Sequence, residues 1–380
     1  MNRHTFLKIA GTLAIASPFT LSLGSASPSK YFNINKIRGR HFLITPEGKH
    51  FFSIGINHID SASLRYPENE SIWKEKYDNS MKKWLSKGVS RDLKKWGFNT
   101  VGWNQEVVTR AAENHRHSRS FTPEEYRWLN MPYCHMLRFA DFHWWENEII
   151  NPDFFSKGFE EWCDYVARDE ASRLADDPNL IGYFYVDCPT WAFVTEANSW
   201  KGPIIDTERL KSDAGRKELY QMASQYYKVT HDAIRRYDKN HLILGDRYWP
   251  KKPIPMEVIE AATPYVDVLC FQDFSPIDKI VENLNYWHAI TGKPTLVADS
   301  SHTEKIDGTS YIKHTLNDYP EVYDQLKEVP SCIGYHLCGA YIANRTRRKG
   351  LINENETSYE EDIDMMSEVN REMEEWVRSY

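Results

Sequence analysis

The chain has 380 residues, 41% of them hydrophobic, and a formal net charge of -7. That length carries one large α/β domain or two smaller ones, and that apolar fraction excludes global disorder. Mild acidity without a basic stripe argues against nucleic acid as a partner.

The first element in chain order is a leader. Residues 1–26 join a basic start (Arg3, Lys8) to an apolar stretch and small residues at Gly24 and Ala26, the three-part pattern of a secretory signal. The mature protein is therefore expected to be secreted or periplasmic. A membrane anchor is the lesser alternative, because the apolar run is short and interrupted, and no later segment is long and apolar enough to span a bilayer. From Tyr31 onwards, short apolar runs alternate with longer stretches of helical period. The strands expected are Phe51–His58, Thr100–Asn104, Met136–Phe142, Ile181–Asp187, Leu242–Tyr248, Val266–Gln272, Thr295–Ser300 and Ile333–Cys338. Helical patterns separate most of them, with an irregular stretch over 106–131 and a closing helix near the C-terminus. Eight strands alternating with helices specify α/β architecture as a single (β/α)8 barrel over 31–380. An open doubly wound sheet is the runner-up, but no strand is followed by a phosphate-binding glycine fingerprint. The six cysteines are scattered without a CxxC pair and are expected to be free, buried thiols.

In such a barrel the functional face lies at the C-terminal ends of the strands. The expected strands end there in polar residues: His58, Asn104, His143, Asp187, Arg247, Gln272, Asp299 and His336, with Trp144, Trp191 and Trp249 alongside. A single one of these reads as a helix cap, and Asp187 would cap through the Thr190 and Trp191 amides. The set together reads as a site. Carboxylates with amides and aromatics suit glycoside hydrolysis, where one acid protonates the leaving oxygen and a second carboxylate attacks or activates water. Aromatic residues reach 14% of the chain, and flat rings stack on sugars as readily as they fill a core. Asp187 and Asp299 are the candidate catalytic pair. His58, Asn104, His143, Arg247, Gln272 and His336 are candidate hydroxyl or anion ligands, and Trp144, Trp191 and Trp249 candidate stacking platforms. Arg247 would grip a sulfate or uronate, or pair internally with Asp246 or Asp299. No HxH or HExxH pair and no GxSxG elbow is present, so the pattern asks for no metal or other cofactor and for no serine nucleophile.

The order of the motifs resembles the (β/α)8-barrel glycoside hydrolases, and within them the β-agarase-like family. It rests on TPEGKHFFSIGINHID, GYFYVDCPTW, LILGDRY, VDVLCFQDFSP, GKPTLVADSS and IGYHLCGAY followed by RRKGLINE. The resemblance implies an acid/base Glu after Asn at the end of strand four and a nucleophilic Glu at the end of strand seven. The matching positions here are Asp187, preceded by Val186, and Asp299, with Cys188 the other occupant of the acid's register. It implies an oligosaccharide or polysaccharide substrate, agarose-like or another marine or plant polymer, and Arg247 gripping an anion would favour an acidic one. If two Asp replace two Glu on an unmoved backbone, the carboxyl gap widens by up to ~3 Å, from the retaining range towards the inverting one. A non-catalytic carbohydrate-binding barrel is the alternative, since both Glu residues are absent.

Overall fold

A computed structural model of the chain describes residues 29–111, 114–143, 153–193, 203–301, 303–305, 312–314, 318–339, 341–344, 348–358 and 360–380. The expected leader and Trp144 lie outside the described residues. Eight parallel strands close into one barrel: Ser53–Ile56, Thr100–Val101, Tyr133–Met136, Leu180–Asp187, Leu242–Tyr248, Leu269–Gln272, Thr295–Ser300 and Cys332–Leu337. They are called strands one to eight below. Each pairs with the next, and the eighth closes on the first through Gly334–Leu337 against Ser53–Ile56.

The alternation of each strand sorts its side chains into two layers, because successive residues point to opposite faces. On strands five to seven, Ile243, Leu269, Phe271 and Val297 face the helices. Leu242, Leu244, Cys270, Leu296 and Ala298 fill the barrel. Burying each large aliphatic contributes about 1.5–3 kcal/mol. The helices include Lys157–Val166, Asp213–Tyr237, Met256–Ala262, Ile277–Thr291, Tyr319–Lys327 and Glu360–Arg378. The last of these ties the ring shut. Asn370 donates to the Trp96 carbonyl and accepts from the Tyr319 hydroxyl, so it joins the first helical layer to the final one.

A three-stranded antiparallel sheet, Asn33–Ile37, Arg40–Ile44 and His50–Phe51, plugs the N-terminal mouth. Phe32 and Leu43 join the apolar barrel interior, with Phe51 packed against it. Arg40 caps the end of helix Tyr319–Lys327 by donating to the Leu326 and Lys327 carbonyls. The expected first strand thus divides, with His50–Phe51 in the plug and Ser53–Ile56 in the barrel.

The third strand is displaced from its expected place. It is Tyr133–Met136, not Met136–Phe142. The apolar rhythm of Leu137–Phe142 comes from packing above the strand. Phe139 lies against Tyr185, and Phe142 against Trp191 and Tyr226, all ring to ring. The irregular stretch after strand two contains a hairpin, Val107–Ala111 with Asn114–His117, and the helix Pro123–Leu129. All six cysteines are free and buried. Among the described residues no helix is long and apolar enough to cross a membrane.

Two glycines make room for one buried ring. A Cβ on Gly55 would stand 2.2 Å from His336 Cδ2, and one on Gly102 would stand 2.5 Å from His336 Nδ1. The ring leans on Ser53 Oγ at 2.8 Å, and Ser53 in turn donates to Thr100 Oγ1. Gly55→Ala is expected to cost about 1–3 kcal/mol in denaturant unfolding, as overpacking does in a rigid core. In a His336→Ala background that cost should fall to less than half. An equal cost in both backgrounds would show that the contact is not the reason.

Candidate active site

Strand alternation turns Asp246 outward and Arg247 inward. Asp246 accepts hydrogen bonds from the Val186 amide and the Tyr226 and Tyr227 hydroxyls beneath the helices. Burial pushes its carboxyl up to about 6 against the pull of those donors. Arg247 enters the barrel and is 1% exposed. Its Nη2 and Nε lie 2.9 and 3.1 Å from Asp187 Oδ1, and Nη1 lies 3.3 Å from the Ala298 carbonyl. The guanidinium rests 4.0 Å from the centroid of the Trp103 ring. Of the two fates open to Arg247, an internal pair is the one found, and its partner is Asp187 instead of Asp246 or Asp299. A desolvated guanidinium is stable there because it is neutralised and stacked at once.

Asp187 ends strand four, 4% exposed, and its amide donates to His143 Nδ1 at 2.8 Å. The next residue, Cys188, has φ +49° and donates its thiol proton to Gln272 Oε1. At the end of strand one His58 has φ +60°. Left-handed backbone at non-glycine residues costs energy and gathers at functional sites. Both examples border the same mouth.

Asp299, next to last on strand seven, is 1% exposed. Asn57 Nδ2 donates to its Oδ1 at 2.5 Å, and His58 Nε2 stands 3.9 Å from Oδ2. Burial alone would raise this acid. The His58 imidazole, the Arg247 charge and the Asn57 amide together outweigh burial and hold it well below the usual carboxylate range. His336, beneath them, is pushed down to about 3 by burial and by Arg247, against the pull of Asp299, and is neutral. Among the described residues the Arg247 guanidinium therefore stands by Asp187 at the end of strand four and near Asp299, next to last on strand seven.

The expected residues divide accordingly. His58, Asp187, Arg247, Gln272 and Asp299 converge. Asn104 is buried beside them, with no partner for its amide nitrogen among the described residues. Trp249 is part-exposed on the rim beside Phe193. Trp191 is not a stacking platform. It is 2% exposed, enclosed by Phe142, Phe154 and Tyr226 under the helical layer. His336 does not reach a ligand either, because it lies a layer deeper, against Ser53. His143 is fully buried and its Nδ1 is committed to the Asp187 amide. Asn57 and Trp103 stand at the expected strand ends, and the structure gives them parts that the sequence does not assign: Asn57 holds Asp299, and Trp103 carries the Arg247 guanidinium.

No protein-family model and no curated protein matches the chain. Solved structures do. An agarase superposes with TM-score 0.71 at 17% identity, over 94% of this chain and 65% of its own. An exo-β-agarase superposes with TM-score 0.67 at 18% identity, over 93% of this chain and 66% of its own. A β-galacturonidase from Eisenbergiella tayi superposes with TM-score 0.55 at 11% identity, over 90% of this chain and 54% of its own. The chain thus spans just under two thirds of the two agarases, and at these identities the likeness is one of fold.

The buried pair makes a stability prediction. Arg247→Met removes the guanidinium that neutralises the buried Asp187 carboxylate and is expected to cost about 3–5 kcal/mol in denaturant unfolding. Adding Asp187→Asn should recover most of that loss. Additive losses in the double variant would contradict the pairing.

Proposed function

We propose that this barrel is a glycoside hydrolase acting on an oligosaccharide or polysaccharide, exported to the periplasm or medium. The observation that carries the reading is the convergence of two buried carboxylates on one mouth, Asp187 closing strand four and Asp299 next to last on strand seven, with Asn57, His58 and Arg247 arranged to favour the charged form of Asp299. A nucleophile or general base must be deprotonated when the sugar arrives, and Asp299 meets that condition across the working pH range. The likeness in fold to the agarases and the galacturonidase supports the same class of reaction, with an agarose-like polymer as the first substrate to try.

Asp187 is the proton donor in this reading. For Asp187 to deliver a proton, its contact with Arg247 has to loosen as the sugar binds, since an adjacent guanidinium favours the charged carboxylate. His58, Asn104 and Gln272 are the hydroxyl ligands, and Trp249 the stacking surface at the rim. A non-catalytic carbohydrate-binding barrel is the second reading, and the Arg247–Asp187 pair itself favours it, because it withholds the donor.

Turnover on a panel of algal and plant oligosaccharides separates the two. Hydrolysis is expected, with Asp187→Asn and Asp299→Asn each lowering kcat by roughly 10²–10⁴-fold while binding persists. Proton NMR of the first product should show inverted configuration, the outcome expected where two Asp side chains stand in for two longer Glu on an unmoved backbone. Binding without any product release would establish the second reading. A retained anomer, or a glycosyl ester trapped on Asp299, would make Asp299 a nucleophile instead of a base.

A further inference from the structure

His58, Asp299 and Cys338 come from the ends of strands one, seven and eight and turn one ligand atom each to a common point. His58 Nε2 lies 3.6 Å from Cys338 Sγ and 3.9 Å from Asp299 Oδ2, and the three atoms lie within 4.8 Å of one another. All three residues are buried. We propose that these residues form a binding site for a thiophilic divalent cation of the zinc type.

Four features support this. The first is distance. Around tetrahedral zinc, ordinary bond lengths separate a histidine nitrogen from a thiolate sulfur by roughly 3.6 Å and from a carboxylate oxygen by roughly 3.4 Å. The first separation is already present, and the second needs only a small approach of Asp299. The second feature is orientation. His58 Nδ1 donates to the Gln105 carbonyl at 2.6 Å, which orients the ring and aims Nε2 at the other two atoms, and a proton held on Nε2 leaves to solvent when the ion binds. Asn57 holds Oδ1 of Asp299 and so turns Oδ2 inward. The third is anchoring. Lys349 Nζ lies 3.7 Å from Cys338 Sγ and 3.0 Å from Ser301 Oγ, which helps hold the sulfur in place beside the other two ligand atoms. The fourth is donor chemistry. One imidazole, one thiolate and one carboxylate select a borderline-soft ion over calcium or magnesium, and three protein ligands leave a position for solvent or substrate.

Binding forms a zinc–sulfur bond as the Cys338 S–H bond breaks, and that proton goes to solvent. The same event takes Asp299 into coordination. The site goes beyond the hydrolase reading and does not depend on it, so its test avoids turnover altogether.

The full mature chain, freed of metal with a chelator and titrated with Co²⁺, should show a thiolate-to-cobalt charge-transfer band that saturates at one ion per chain. Metal analysis after exposure to Zn²⁺ should give the same ratio. Cys338→Ser should lose the band, and His58→Ala should weaken binding at least tenfold. Circular dichroism and thermal unfolding without metal show whether each variant is folded. If either variant is not, competition between Zn²⁺ and a thiol-alkylating reagent at Cys338 of the unaltered chain replaces it, with zinc expected to slow alkylation at least tenfold. No band in the unaltered chain, an equal band in folded Cys338→Ser, or alkylation indifferent to Zn²⁺ would overturn the proposal.

Discussion

The guanidinium of Arg247, desolvated inside a closed barrel, is the constraint around which the mouth is organised. A buried cation has to be neutralised, and the bond to Asp187 does this at 2.9 Å. The same charge reaches Asp299 and helps keep it ionised, and it pushes the His336 ring towards its neutral form. Trp103 supplies the face on which the guanidinium lies. Asp187 is thus paired to this one residue on strand five, and Asp299 and His336 are biased by its charge. The acid that ends the apolar run Leu180–Val186 is there as the counter-charge of Arg247. Any role in proton transfer is added to that electrostatic one.

Fold and site differ in how they are held. The barrel stands on alternation: one layer of side chains faces the helices, the other fills the interior, and a small sheet seals the bottom. Tight packing around Gly55 and Gly102 fixes the polar layer just below the mouth. Above it the strands end in residues with little freedom to relax, including His58 and Cys188 in left-handed conformations. Such strain persists because the ladder below over-determines it. Hydrolysis and simple sugar binding use this rim differently, since only hydrolysis requires Asp187 to exchange its partner during a cycle. A cation held by His58, Asp299 and Cys338 would take the other carboxylate out of play, as the Arg247 pair does Asp187.

Much of this was legible in the sequence where local pattern and tertiary role agree. Strands five and seven carry β-branched and apolar runs bounded by turn residues, and they lie where the pattern puts them. The polar residue at each strand end marked the mouth. The third strand was misplaced because Leu137–Phe142 is apolar for packing above the ladder, which periodicity alone does not separate from a strand. Trp191 follows Asp187 closely and reads as a rim residue, but the chain turns it under the helices, where Tyr226 and Phe154 enclose it. Arg247 had several carboxylates within plausible reach, and only the inward face of strand five selects Asp187. The cluster of His58, Asp299 and Cys338 spans most of the chain, so no spacing rule exposes it. Closure of the barrel is what brings those positions together.

The central claim is that the Arg247-centred network holds Asp299 as a carboxylate. Its most direct test is the pH titration of the ¹³C-labelled aspartate carboxyl signals, with Asp299 assigned through Asp299→Asn. The Asp299 signal should stay at its ionised position from pH 7 down to about 4, where ordinary aspartates are half protonated. A signal that titrates with the ordinary aspartates, or that is already protonated at pH 7, would contradict the account.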